Sequence, residues 1–185
     1  GRGLKVTAEA TPHHLCLTDE EVKTYNTNTK VNPPLRSPEH LSALRKALIE
    51  GLIDCVATDH APWASEDKEQ EFAKAPNGVS GLETAVPMCW DALVVSGLMK
   101  PSALIARFTT GPARILKLDR GYLAPGAVAD ITVIDPGLKK KVVAEDFYSK
   151  GKNSPVDGRT YQGWPIMTIV DGKIVMEDGK VKEGR

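Results

Sequence analysis

The chain has 185 residues, with 24 Lys+Arg against 24 Asp+Glu and 41% hydrophobic residues. That length favours one domain or one domain with a small appendage. The neutral balance argues against a nucleic-acid binder, and the apolar fraction against a disordered chain.

No apolar run approaches the roughly 18 residues that cross a bilayer. The start, Gly1 to Lys5, has no apolar stretch of the kind that marks a signal peptide. Cys16, Cys55 and Cys89 are odd in number and lack a CxxC pair, which fits a reducing cytoplasm.

Residues Lys5 to Thr11 alternate apolar and polar side chains and predict a strand stopped by Pro12. Thr18-Asp-Glu-Glu21 predicts an N-cap with a capping box, opening a short helix to about Tyr25. Asn26 to Arg36, with its asparagines and prolines, predicts a loop. Ser37-Pro38 predicts the next helix start, with Leu41, Leu44, Leu48 and Leu52 on its apolar face. After Gly51, Ile53 to Thr58 predicts a short strand covered on both faces.

A polar loop is expected from Trp63 to Ser80, with Glu66 to Glu71 as a solvated face. Gly81 to Gly97 predicts one buried helix that includes Leu82. Lys100 to Leu118 predicts one or two more, broken near Gly111-Pro112. Beyond Leu118 the pattern turns β-rich. Ala129 to Asp135, Pro165 to Val170 and Lys173 to Met176 predict strands, with Asp171-Gly172 as a hairpin turn. Lys139 to Lys141 is expected to be a solvated turn. The whole is a mixed α/β chain.

Strand–helix–strand–helix order implies parallel βα units, whose functional groups collect at the carboxyl ends of strands. Two polar clusters fall there: Thr11-Pro12-His13-His14 and Thr58-Asp59-His60. Asp59 can bind a divalent metal and accept a proton from bound water, or it can cap the following loop. Neighbouring His13 and His14 point apart on extended backbone, so at most one shares a metal with Asp59; otherwise both are hydrogen-bonded structural residues. His60 shapes the site or hydrogen-bonds a loop. Asn32 precedes two stiffening prolines, and its amide offers both a donor and an acceptor to a cyclic amide ring. A turn asparagine is the plainer alternative. Asn77-Gly78 is a turn whose glycine lets backbone approach a ligand.

Several segments, in order, resemble bacterial dihydroorotase of the amidohydrolase superfamily. They are Glu9 to Leu15, Asn32-Pro-Pro-Leu-Arg36, Ile53 to Pro62, Gly81-Leu-Glu-Thr84, Gly126 to Ile131 and Ser149 to Pro155 with Gly158. The resemblance implies the C-terminal portion of a (β/α)8 TIM-type barrel, its last two strands and their helices, over residues 1–118. A small antiparallel β-domain segment would occupy residues 119–185.

The resemblance also implies zinc-dependent, reversible hydrolysis of dihydroorotate to N-carbamoyl-aspartate, a step of pyrimidine biosynthesis. Asp59 would be metal ligand, general base and proton shuttle. Asn32, Trp63, Asn77 and Gly78 would contact substrate, with Trp63 standing where the family usually has His. His13 and His14 do not match the family's metal-binding histidines. The other zinc ligands and the substrate-carboxylate arginine would lie in a preceding part, so this chain is expected to be inactive alone. Its expected companion is that N-terminal half or another copy of the chain. Two alternatives stand beside this reading. One is a non-catalytic subunit partnering aspartate carbamoyltransferase; the other is allantoinase or another cyclic amidohydrolase.

Overall fold

The computed structural model describes residues 4–182. The expectation about a leader at Gly1 to Gly3 falls outside them. The first strand is far shorter than the alternation predicts: β1 is Glu9–Ala10 alone. Its ladder ends where the Ala8 N–H donates to the Asp54 carboxylate, at 2.8 Å, instead of to backbone. Beyond it, Thr11 accepts the His14 N–H at 3.2 Å and caps a short helix, α1, Pro12–Cys16. Proline suits that first helical position because the donor it lacks has no intrahelical partner there.

The capping box does not form. Thr18 makes no side-chain cap, and Asp19–Thr24 winds as a 3-10 helix. Glu21, whose carboxylate would complete the box, is instead paired with Arg159. A single 3-10 turn, Thr27–Thr29, interrupts the predicted loop. Helix α2 spans Pro38–Glu50 and ends at Gly51 in the left-handed region. Ser37 precedes it, but its hydroxyl meets the side chains of Glu39 and His40 rather than a backbone N–H. The chain leaves the helix at Gly51, so Leu52 is exposed and the buried face centres on Leu48.

Strand β2, Cys55–Val56, pairs parallel with β1 in the register Glu9 to Cys55 and Ala10 to Val56. The parallel βα arrangement is as expected. Within the polar loop, Ser65–Lys68 forms a single helical turn, α3. Its Lys68 is buried, so the charged run is not wholly a solvated face.

The single helix expected from Gly81 is two different windings. Leu82 is exposed, α4 spans Ala85–Cys89, and the chain widens into a π-helix over Trp90–Val95. There Trp90 lies across Gly163, where a Cβ would fall 2.2 Å from the indole Cγ. Helices α5, Pro101–Phe108, and α6, Thr110–Leu116, break at Thr109 rather than at Gly111-Pro112. Pro112 has no N–H to give, and a break upstream puts it in a first turn, where none is needed.

The last part is an antiparallel sheet in the order β3-β4-β5-β6. Its strands are Ile131–Lys141, Thr160–Val170, Lys173–Glu177 and Lys180–Val181. Asp171 and Gly172 both have positive φ, 50° and 74°, as the tight hairpin turn requires. Asp178 and Gly179 repeat that turn before β6. Lys139 to Lys141 is not a turn: these residues end β3, facing Gln162, Tyr161 and Thr160 of β4.

Two apolar clusters hold the chain. One joins β1, α1, α2, β2, the π-helix and α5 through Ala10, Leu15, Leu48, Val56, Leu93 and Leu104. The other gathers Leu17, Val79, Met88, Val142 and Val156 under the loops that follow β1 and β2. No helix among the described residues is long and apolar enough to cross a membrane.

Candidate active site

Both strands carry their polar residues at their carboxyl ends. Thr11 follows β1, and Asp59 follows β2 with φ of 47°. That left-handed conformation is uncommon for a residue with a Cβ and costs about 1 kcal/mol or more. Asp59 is exposed and borders a cavity of about 780 Å³, with Glu9, Thr11, His14, Pro33 and Arg36 among the other walls.

Asn32 is exposed and is joined to Pro33 by a cis peptide bond. It is not among the residues lining the cavity; Pro33 and Pro34 are. The Pro33 carbonyl lies 2.8 Å from His14 Nε2. A carbonyl only accepts, so Nε2 carries the hydrogen and cannot bind a metal. His14 Nδ1 lies 2.7 Å from the Thr11 hydroxyl, so both ring nitrogens are engaged.

His13 is buried, and its Nε2 has no hydrogen-bond partner. Burial first, and the neighbouring His14 second, push its pKa down to about 3. His13 is therefore neutral over the ordinary pH range. His60 bonds a loop: its Nδ1 accepts the N–H groups of Gly81 at 3.2 Å and Leu82 at 3.3 Å.

Trp63, Asn77 and Gly78 form one unit. The Trp63 indole donates to the Asn77 carbonyl at 3.0 Å. The Gly78 N–H donates to the Lys30 carbonyl at 2.9 Å, tying this loop to the segment that carries Asn32. The Gly78 carbonyl accepts from Lys68 Nζ at 3.1 Å and Asn153 Nδ2 at 3.0 Å. Gly78 thus spends both backbone groups internally, and the indole spends its only donor. Trp63 and Gly78 hold the loop, and Asn77 is exposed; none of the three is among the residues lining the cavity.

Sequence reasoning missed Lys30, Lys68 and Asn153. Lys30 Nζ donates to the carbonyls of Ala73 and Ala75, and Lys68 Nζ to those of Pro76 and Gly78. Burial, then the charge of Lys30, lowers the Lys68 pKa to about 8. Two ammonium groups thus clamp the loop through the carbonyls of Ala73, Ala75, Pro76 and Gly78. The sequence carries no local signal for this clamp, since Lys30 and Asn153 reach the loop from distant segments.

Among the described residues, no group of three or more His, Cys, Asp or Glu is placed to hold a metal ion. A catalytic zinc usually takes three protein ligands. Asp59 offers one carboxylate, and the nearby His14 has its nitrogens committed. These residues do not make a metal centre by themselves.

Comparison with known proteins identifies the family. The model of the amidohydrolase family matches residues 2–175. The chain is 50% identical over 181 residues to a dihydroorotase of Pelotomaculum thermopropionicum, covering 98% of this chain and 42% of that protein. It is 51% identical over 177 residues to a dihydroorotase of Syntrophus aciditrophicus, covering 96% and 41%. The chain thus spans about two fifths of the length of these curated relatives. Among solved structures, an L-hydantoinase (dihydropyrimidinase) from Arthrobacter aurescens superposes with a TM-score of 0.93 at 35% identity, covering 98% of this chain and 41% of that one. A D-hydantoinase (dihydropyrimidinase) from Thermus sp. gives 0.90 at 25% identity, covering 99% and 42%. The chain belongs to the amidohydrolase family and is dihydroorotase-like within it.

Proposed function

We propose that this chain supplies part of the active site of a dihydroorotase, which opens the ring amide of dihydroorotate reversibly to N-carbamoyl-aspartate. The observation that carries the reading is Asp59. It stands just past the carboxyl end of a parallel strand, exposed at a cavity, in a chain half identical to a dihydroorotase. Parallel sheets collect their chemistry at that end. The parallel β1–β2 pair and its helices support residues 1–118 as the last two strands of a (β/α)8 barrel. Residues 119–185 would then form a β-rich segment beside it.

In this reading Asp59 takes a proton from the attacking water and delivers it to the ring nitrogen as the amide bond breaks. Asn32 and Asn77 offer amide donors and acceptors to the ring. Trp63 and Gly78 act by holding Asn77. The zinc that the resemblance implies would take Asp59 as one ligand. The described residues supply no set of three, so no step is assigned to it. The free thiols of Cys16, Cys55 and Cys89 support a reducing, cytoplasmic setting.

A second reading is a silent dihydroorotase-like subunit beside aspartate carbamoyltransferase. Trp63 favours it, because the indole keeps no hydrogen bond for a substrate. A chimera decides between them, with this chain replacing the matching segment of the Pelotomaculum dihydroorotase. Carbamoyl-aspartate formation from dihydroorotate within about tenfold of the parent rate, a loss of no more than 1.4 kcal/mol in barrier, supports the enzyme. A folded chimera without turnover supports the silent subunit.

A further inference from the structure

Asn153 lies far along the chain from Asp59, on the segment leading to Pro155, and is 4% exposed. All four hydrogen-bonding places of its side-chain amide are filled. Oδ1 accepts the backbone N–H of Trp63 at 2.9 Å and lies 2.8 Å from the Ser80 hydroxyl. Nδ2 donates to the carbonyls of Ala61 at 3.1 Å and Gly78 at 3.0 Å. The partners fix the orientation of the amide: a backbone N–H requires the oxygen, and two carbonyls require the nitrogen. The Asn153 carbonyl also accepts the Ser80 N–H at 3.0 Å. Ser80 Oγ lies 2.7 Å from the Gly151 carbonyl, so its one proton is shared between that carbonyl and Asn153. Gly151 allows this segment to seat, since a Cβ there would fall 2.6 Å from the Trp63 nitrogen.

These bonds fasten two loops that also meet through the Ala61 N–H to the Val79 carbonyl, at 2.9 Å, and through the Trp63 indole. Residues 61–63 follow Asp59, and residues 78–80 follow Asn77. We propose that Asn153 is a positioning residue: it locks these two loops in one relation, so that the Asp59 carboxylate and the Asn77 loop meet the same substrate in register. The proposal rests on the reading of Asp59 and Asn77 as site residues given above. The chemistry is specific to asparagine. Aspartate has the same shape, but sets an oxygen against the carbonyls of Ala61 and Gly78. Alanine takes this partner from the Trp63 N–H and the Ala61 carbonyl, leaves Gly78 with Lys68 and Ser80 with Gly151, and repels none of them.

The test uses the same chimera with Asn153→Ala and Asn153→Asp. For Asn153→Ala, kcat falls by roughly ten- to hundredfold, as expected for a small misplacement of reacting groups. KM stays within about threefold, because binding contacts outside the two loops persist. Asn153→Asp is impaired more than Asn153→Ala. A space-filling role predicts the opposite order, with the isosteric aspartate better tolerated, and that order overturns the proposal. Amide hydrogen exchange is the second readout and needs no turnover. In Asn153→Ala, exchange at the Trp63 amide rises by about tenfold or more, while the amides of Leu48 and Leu104 are unchanged. An unchanged Trp63 amide overturns the proposal. If Asn153→Ala does not fold, Ser80→Ala removes one partner of the hub, and the same Trp63 amide decides. If the unaltered chimera folds but turns nothing over, the dihydroorotase reading falls, and exchange still decides whether Asn153 holds the loops.

Discussion

The indole N–H of Trp63 donates to the carbonyl oxygen of Asn77 at 3.0 Å, bridging the loop that follows Asp59 and the loop that carries Asn77. Trp63 is therefore a strut. An indole has one donor and no acceptor, and that donor is spent inside the protein.

Removing the strut should be measurable without substrate. Trp63→Phe keeps most of the ring and loses the N–H. It should destabilise the chain by about 0.5–1.5 kcal/mol, the net worth of one hydrogen bond. Denaturant titration of the two proteins checks this, and coincident midpoints would contradict it.

The packing of β4 on the π-helix gives a larger effect. Gly163 has φ of 84°, and its missing Cβ leaves room for the Trp90 ring. Gly163→Ala adds a left-handed strain to an overpacked contact, so the loss should reach about 3 kcal/mol. A thermal melt with unchanged midpoint would show that Trp90 does not depend on that gap.

His13 should make the chain acid-sensitive. Unfolded, its imidazole takes a proton near 6.5; folded, it holds out to about 3. Between those values the unfolded state binds more protons, so stability falls as pH drops from about 6.5 toward 3. The contribution is fully present above 6.5. His13→Gln removes it. The stability of the original minus that of the variant should shrink with falling pH, and a constant difference between pH 7 and pH 4 would contradict the assignment.

What could be read from the sequence depended on how local its cause is. The Asp171-Gly172 hairpin was legible because two adjacent residues with positive φ decide it. The parallel order of β1 and β2 followed from the strands and the helix between them. The place of Asp59 followed from its position after a strand. The π-helical turn at Trp90 was not legible, because Gly163, against which its ring packs, lies on β4, far along the chain. The break at Thr109 lies upstream of the Gly111-Pro112 signal, since proline constrains the turn before it. The capping box expected at Thr18 does not form, because Glu21 pairs with Arg159, which lies far along the chain. Asn153 falls in the Ser149 to Pro155 segment of the resemblance, but nothing local marks its role. Its side chain meets three backbone groups and one hydroxyl, spread over residues 61–80.

The central claim is that Asp59 moves the proton in ring opening, and one substitution addresses it directly. Asp59→Asn in the dihydroorotase chimera keeps the size of the side chain and removes its capacity to accept a proton. Rates of carbamoyl-aspartate formation, with metal content measured on the same samples, should fall by about 10²–10⁴-fold. Turnover near that of the unaltered chimera, with full metal content, would contradict the account.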